Sequence, residues 1–391
     1  MQASSSFAPL MTKTTKTNKL FLFLFTALIL TGCVQSTKNE ITPHLSYSVQ
    51  DKYLQNLRSI FNPLTEEEKE TRWGTEYELG LEFAKKLDLY RAVTCFKRAD
   101  ILIEPTLYDR KAEIEYQIVN CYYLGRRYAE VIESFEESML ANTTRSFIGF
   151  RDLLVILFDS YLQEGDTEKS GWMVQALEKY FPTDAKKLRL TAAIQHADLP
   201  QLETLSKCGS DEIRFAELLS RSKKTGELNF EDEEDSFKIH RALHEDPEHE
   251  TSLTLDEEIE LRELTAFTKC KAAGNEILEG YEKKKKNPAL AVALNATIPG
   301  LGYLYLGQTQ TAFTSFWLNG LFIGTTAYFF KQGNIPAALI TLGFESGWYF
   351  GGLVGVRENT YFYNERIYEN EAHVKMRDHQ LYPILMLSHG F

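Results

Sequence analysis

Five cysteines, a pair of histidines and one glutamate inside an apolar stretch are the residues whose types and positions could do chemistry. Cys33 ends the run Leu30-Thr31-Gly32-Cys33, where a thiol follows small residues and an apolar segment. Cys95, Cys121, Cys208 and Cys270 are widely spaced and form no Cys-x-x-Cys pair, so no thiolate metal site is expected. Cys95 and Cys121 fall on apolar helical positions, where a free cysteine behaves as a small core residue, and all four are read as structural. His240 and His244 share a helix face, with Glu245, Glu248 and His249 close by. The zinc-hydrolase arrangement needs a glutamate directly after the first histidine as general base. Arg241 stands there instead, so the stretch reads as solvated surface and no metal is expected. Glu345 interrupts an apolar segment. A buried ionisable group is costly there and marks either function or a fixed hydrogen bond. A neutral Glu345 carboxyl bonded to Asn319 or Trp317 is the preferred reading. Neither a phosphate-cradling Gly-x-x-x-x-Gly-Lys nor a Gly-x-Ser-x-Gly elbow occurs. The chain is therefore expected to be no enzyme, with no catalytic residue and no cofactor.

The elements that position these groups begin with the N-terminus. Lys13, Lys16 and Lys19 precede the apolar run Leu20 to Leu30. A basic region, a short apolar core and a small-residue cleavage site make an export signal over 1–32. The run falls short of the ~20 residues of a membrane span. Its last four residues resemble the lipobox of bacterial lipoproteins. That resemblance implies cleavage before Cys33, acylation of its thiol and new amino terminus, and attachment to a membrane of the bacterial cell envelope. An ordinary signal with a chance cysteine and an uncleaved anchor are the alternatives. Met11 offers a more typical start.

The chain has 391 residues and a formal net charge of -12. That length allows two to three domains, and the acidic balance argues against a nucleic-acid partner. Residues 33–70 are weakly patterned and read as a tether. From Thr71 the apolar period is helical. Leu79, Gly80, Phe83, Ala92, Phe96 and Ala99, followed by Pro105, have the spacing of a tetratricopeptide repeat. Two further units follow, Ile118 to Ser138 and Phe158 to Pro182, and hairpins continue through Lys186–Ser206 and Asp211–Lys224. Residues 71–225 therefore resemble a tetratricopeptide-repeat domain, whose implied role is protein binding in a groove. A plain helical bundle is the alternative. Residues 226–286 hold the acidic run Glu231 to Asp235 and an amphipathic helix from Leu255 to about Glu282, ending in Lys283 to Lys286.

No Asp, Glu, Lys or Arg occurs from Asn287 to Phe330. Thr311–Phe330 and Ile335–Val356 each have about the length of a membrane span, joined by Lys331-Gln332-Gly333-Asn334. Gly320 and Gly324, and Gly343, Gly347, Gly351 and Gly355, fall every fourth residue, a stripe that lets membrane helices approach closely. Residues 287–366 resemble a small membrane domain of bacterial proteins, distantly like the TM2 hairpin. The match rests on Pro299, Gly300, Gly302 and Tyr305; Asn319 and Gly320; Glu345, Trp348, Tyr349 and Gly351; Tyr363 and Asn364. It implies location and no activity. Residues 288–306 either re-enter the bilayer or span it, with Pro299-Gly300 favouring re-entry, and 367–391 form a tail.

The expectation is an all-α protein: tetratricopeptide-like hairpins followed by a transmembrane helical hairpin. Lipid and hairpin would hold the repeats on the periplasmic side of the inner membrane, where they bind an unidentified protein partner; the oligomeric state is open. The alternative function is a membrane-active role in insertion or transport centred on Glu345.

Overall fold

Every regular element is helical, and no strand occurs among the described residues. The computed structural model describes residues 40–47, 51–207, Leu218 and 255–391. The expected export signal, Cys33, Cys208, Asp211–Lys224 apart from Leu218, the acidic run and His240 with His244 lie outside them. Two units are distinct among the described residues: a repeat unit within 43–283 and 368–391, and a hairpin unit of 284–367 with residues 40–42.

The repeat unit starts with two short helices, α1 (Asp51–Asn56) and α2 (Glu66–Lys69). Eight longer helices follow in pairs. They are α3 (Arg72–Lys85) with α4 (Leu89–Leu102), α5 (Tyr108–Leu124) with α6 (Tyr128–Glu136), α7 (Phe150–Gln163) with α8 (Thr167–Glu178), and α9 (Pro182–Gln195) with α10 (Leu199–Ser206). All four turns solve the reversal the same way. Leu87, Arg126, Gly165 and Ala197 take left-handed φ values of 57°, 57°, 81° and 51°. The next N–H then closes back on the helix end: Asp88 to Phe83 O, Arg127 to Tyr122 O, Asp166 to Tyr161 O and Asp198 to Ala193 O, at 2.8–3.0 Å. This is the Schellman closure, which satisfies otherwise orphaned carbonyls. Asp88, Asp166 and Asp198 then cap the second helix by accepting from the N–H groups of Arg91, Lys169 and Gln201.

Small residues stand where helices touch. A Cβ on Gly80 would lie 2.6 Å from the Phe96 ring, so the first hairpin requires glycine there. Helix α11 (Leu255–Lys284) packs on α10 at Gly274, where a Cβ would clash with Ser206 Oγ. The most enclosed helices are α5, buried at every position from Ala112 to Cys121, and α7, buried from Asp152 to Leu162. In an isolated stack such helices would keep one face open, so other parts of the chain must cover them. One cover is the segment read as a tether. Leu45 and Leu64 are buried, Phe61 packs on the core, and Arg110 donates to the carbonyls of Asn62 and Pro63. From Pro43 onward that segment is part of the repeat unit.

The hairpin unit contains α12 (Pro288–Thr297), α13 (Leu301–Tyr305), α14 (Thr309–Lys331) and the first part of α15 (Ile335–Asp378). Gly300 turns the chain at φ +97°, and its N–H donates to Asn295 Oδ1 at 2.8 Å. Residues 288–306 thus form a broken turn-back and not one continuous helix. Helices α14 and α15 meet through Thr326 Oγ1 donating to Thr341 Oγ1 at 2.9 Å, and through stacked Phe322 and Phe344 rings with centroids 6.0 Å apart. Among the described residues no helix is long and apolar enough to cross a membrane. The expected transmembrane hairpin is thus present as a helical hairpin, without the mean hydropathy of a span. Helix α15 also runs well past Val356, and from Tyr368 it belongs to the repeat unit.

Candidate functional site

The repeat unit holds several charged groups in its interior. Tyr77 OH donates to the buried Glu113 carboxylate, and Arg110 bridges Glu113 at 2.8 Å and Glu68 at 2.9 Å. Burial pushes the Glu113 carboxyl up, while Tyr77 and Arg110 hold it down. Tyr123 OH donates to Asp159 Oδ2 at 2.7 Å; burial raises that carboxyl too, against the pull of Tyr123 and Gln163. Buried charges persist only when paired and hydrogen-bonded in this way.

A further buried carboxylate, Asp152, holds the end of the chain. It is 1% exposed and accepts the N–H groups of Ser388 at 2.9 Å and His389 at 3.1 Å. Neighbouring Arg151 donates to Asp152 and Asp184 at 2.7 Å, and to Met386 O and Ser388 Oγ at 2.9 Å. Around this clamp, Thr191 donates to Leu381 O at 2.7 Å, Tyr53 to Leu385 O at 3.3 Å, and Gly390 N–H to Arg58 O at 3.0 Å. Met386 and Leu387 enter the core around α7, and Phe391 enters the cluster of Trp73 and Phe96. Residues 381–391, with the short helix α16 (Pro383–Met386), therefore form a strap from α9 back to the first hairpin. The end of the segment read as a tail is fixed through its backbone and through the buried Met386, Leu387 and Phe391 side chains. Backbone recognition carries no side-chain pattern, which is why the strap leaves almost no trace in the sequence. A weak signal is present: Asp152 and Asp159 bracket an otherwise apolar run on one helix face.

In the hairpin unit polarity is reversed. On α14 the buried positions are Ala312, Asn319 and Thr326, every seventh residue; on α15 they include Ala338 and Glu345. The large outward residues are mostly apolar. Phe313, Phe316, Trp317, Leu321 and Ile323 on α14, and Leu339, Ile340, Leu342, Phe344, Trp348 and Phe350 on α15, are between 42% and 67% exposed. Small and polar groups inside with large apolar groups outside is the inverse of a water-facing hairpin.

Some motif residues converge and others do not. Gly300 and Gly302 stand where a Cβ would clash with Ala312 O and Ala291 O. Tyr349 OH donates to Ala296 O at 2.8 Å, Tyr305 OH accepts from Asn287 N–H at 3.3 Å, and Asn364 pairs with both backbone groups of Lys286 at 2.7 and 2.9 Å. These residues and Pro299 shape the turn-back. Gly355 belongs with them, because a Cβ there would meet Tyr303 Oη at 2.6 Å. The other striped glycines depart from expectation. A Cβ on Gly320, Gly324, Gly347 or Gly351 would meet nothing within 4 Å, so these four hold no close helix crossing among the described residues; Gly343 is half-buried. Equal spacing put them on one face but did not place a neighbour against it. Glu345 is 7% exposed, yet its Oε2 has no partner. Asn319 Nδ2 donates to Ser315 O at 2.6 Å and its Oδ1 is also unpartnered, so the expected carboxyl–amide bond is not made.

No family model, curated protein or solved structure matches the chain.

Proposed function

We propose that this protein is a membrane-held, non-enzymatic scaffold of the bacterial cell envelope, whose repeat unit presents a rigid surface to a protein partner. The reversed polarity of the α14–α15 hairpin carries the reading. Eleven named large apolar side chains face outward there, a surface that in water would drive aggregation. Hydrocarbon would instead solvate them and leave Asn319, Thr326, Thr341 and Glu345 inside. The same sidedness explains the modest mean hydropathy. An average over all positions counts the inward polar groups that lipid never meets. The 23 residues of α14 would extend ~35 Å at 1.5 Å each, enough for a ~30 Å hydrocarbon layer.

The four hairpins with identical turns support the tetratricopeptide reading of the repeat unit. Lipid attachment at Cys33 rests on the sequence alone and adds a second hold on the membrane. The partner surface excludes the groove that the strap occupies, which directs attention to the outer helices α4, α6 and α8. Exposed Tyr90, Ile101 and Trp172 lie on two of these, α4 and α8. A second reading, membrane-active chemistry at Glu345, is favoured by its buried, unpartnered Oε2.

Flotation of the full chain with phosphatidylcholine vesicles after alkaline washing tests the first reading. The hairpin holds the chain in the lipid fraction even when Cys33→Ala removes the acylation site. Recovery of that variant in the aqueous fraction would refute the hairpin's role. Palmitate labelling lost in Cys33→Ala tests the lipid. Glu345→Gln that abolishes the cellular function while the protein remains abundant would favour the second reading.

A further inference from the structure

The open glycines of α15 border a cleft. Between α14 and α15 lies a cavity of about 410 Å³, within the range of small-molecule sites and too small for another helix ~10 Å across. Its walls are graded. Thr311, Thr314 and Ser315 place hydroxyls near the start of α14; Leu318 and Trp348 are apolar; Gly347 and Gly351 leave the α15 side bare. No charged residue lines it. Asn319 also lines it, and its 3% exposed amide has a carbonyl oxygen that accepts no hydrogen bond. Buried acceptors are almost always satisfied, and an exception points to an absent donor.

We propose that this cleft binds one neutral, single-chain amphiphile with a hydrogen-bond donor in its head, of the monoacylglycerol class. The hydroxyl-lined end takes the polar head, and the chain lies along Leu318 and Trp348 over the bare glycines. A small movement of the Asn319 side chain lets the head donate to Oδ1. The uncharged lining selects a neutral head over a phosphate or carboxylate. The inference rests on the membrane reading of the hairpin, because the ligand arrives from the lipid phase.

The test uses the full chain in phosphatidylcholine nanodiscs and a diazirine-bearing 1-acylglycerol, with labelled peptides mapped by mass spectrometry. Saturable labelling is expected within 311–319 and 347–352, displaced by 1-oleoylglycerol. Methyl oleate, which has no donor, should compete about five- to tenfold less well, the effect of one hydrogen bond. Gly351→Leu, which fills the cleft, should lower labelling about tenfold or more. Gly324→Leu, in open space outside the cleft, should leave it unchanged. Asn319→Leu should keep labelling but remove the preference over methyl oleate, and it tests the proposal even if Gly351→Leu misfolds. Labelling spread along the outward face and indifferent to both cleft variants would overturn the proposal. So would cross-linking of a second copy through 347–352. Failure of the chain to enter the discs at all would instead overturn the membrane reading, and the cleft with it.

Discussion

Asp152 is predicted to stabilise the fold only through the strap. Asp152→Ala removes the acceptor for two backbone N–H groups, the contact of the His389 ring at 3.2 Å and one partner of Arg151. Arg151 keeps Asp184 at 2.7 Å, so no wholly unpaired charge is left. Ser388 is exposed and its N–H can turn to water; that of His389 is partly enclosed. The two lost backbone bonds to the carboxylate, partly compensated, and the half-exposed His389 contact come to about 2–3 kcal/mol. Deleting 381–391 removes Met386, Leu387 and Phe391 from the core, each contributing about 1.5–3 kcal/mol by burial. The two perturbations act on one contact, so their effects should not add. In the chain lacking 381–391, Asp152→Ala should cost less than about 0.5 kcal/mol. Thermal melts of all four proteins in detergent make the cycle, and amide exchange at Ser388 and His389 reports strap release directly. If Asp152→Ala costs as much without the strap as with it, Asp152 supports α7 itself and the clamp is wrong.

Glu115 gives a pH test. Burial and then nearby Asp100 push its carboxyl up to about 7 from 4.5, against the opposing pull of Lys111. An acid raised on folding stabilises fully below its unfolded value and loses that contribution as pH rises through about 7. Glu115→Gln should therefore gain on the parent between pH 5 and 8 by about 2–3 kcal/mol, and melts showing a constant difference would refute it. Ala197 sits at φ 51° without being glycine; Ala197→Gly should raise stability by about 0.5–1 kcal/mol, read as a higher melting temperature. Gly300 and Gly307 both have positive φ, but only Gly300 is crowded, with Ala312 O in the space a Cβ would need. Gly300→Ala should cost about 3 kcal/mol or more and Gly307→Ala about 1; equal melting shifts would show that crowding is irrelevant.

The paired helices were legible because two local signals agree: an apolar helical period and turn-and-cap residues such as Gly165-Asp166. The need for glycine at position 80 opposite Phe96 was legible for the same reason, since hairpin partners are near in sequence. The strap was not. Residues 381–391 are too few to show a period, and Asp152 holds their backbone, whose hydrogen bonds leave no residue pattern. From Pro43 onward the tether reading missed for the same reason, because Leu45, Phe61 and Leu64 are isolated apolar residues whose partners lie far along the chain. In the hairpin, composition revealed an apolar segment but not its sidedness. Glycine spacing defined a face, while the neighbour expected on it proved to be a cleft.

If the hairpin turns its apolar side to hydrocarbon, that side must meet lipid-soluble and not water-soluble reagents. Nitroxides placed one at a time from Phe313 to Phe330 of the full chain, reconstituted in phosphatidylcholine, test this by comparing collisions with oxygen and a water-soluble nickel chelate. Oxygen access is expected at 313, 316, 317, 321 and 323, with low access to both reagents at 319 and 326 and little nickel access at the outward sites. Nickel access at the outward sites equal to that of exposed Trp172 in the repeat unit would contradict the membrane-held hairpin.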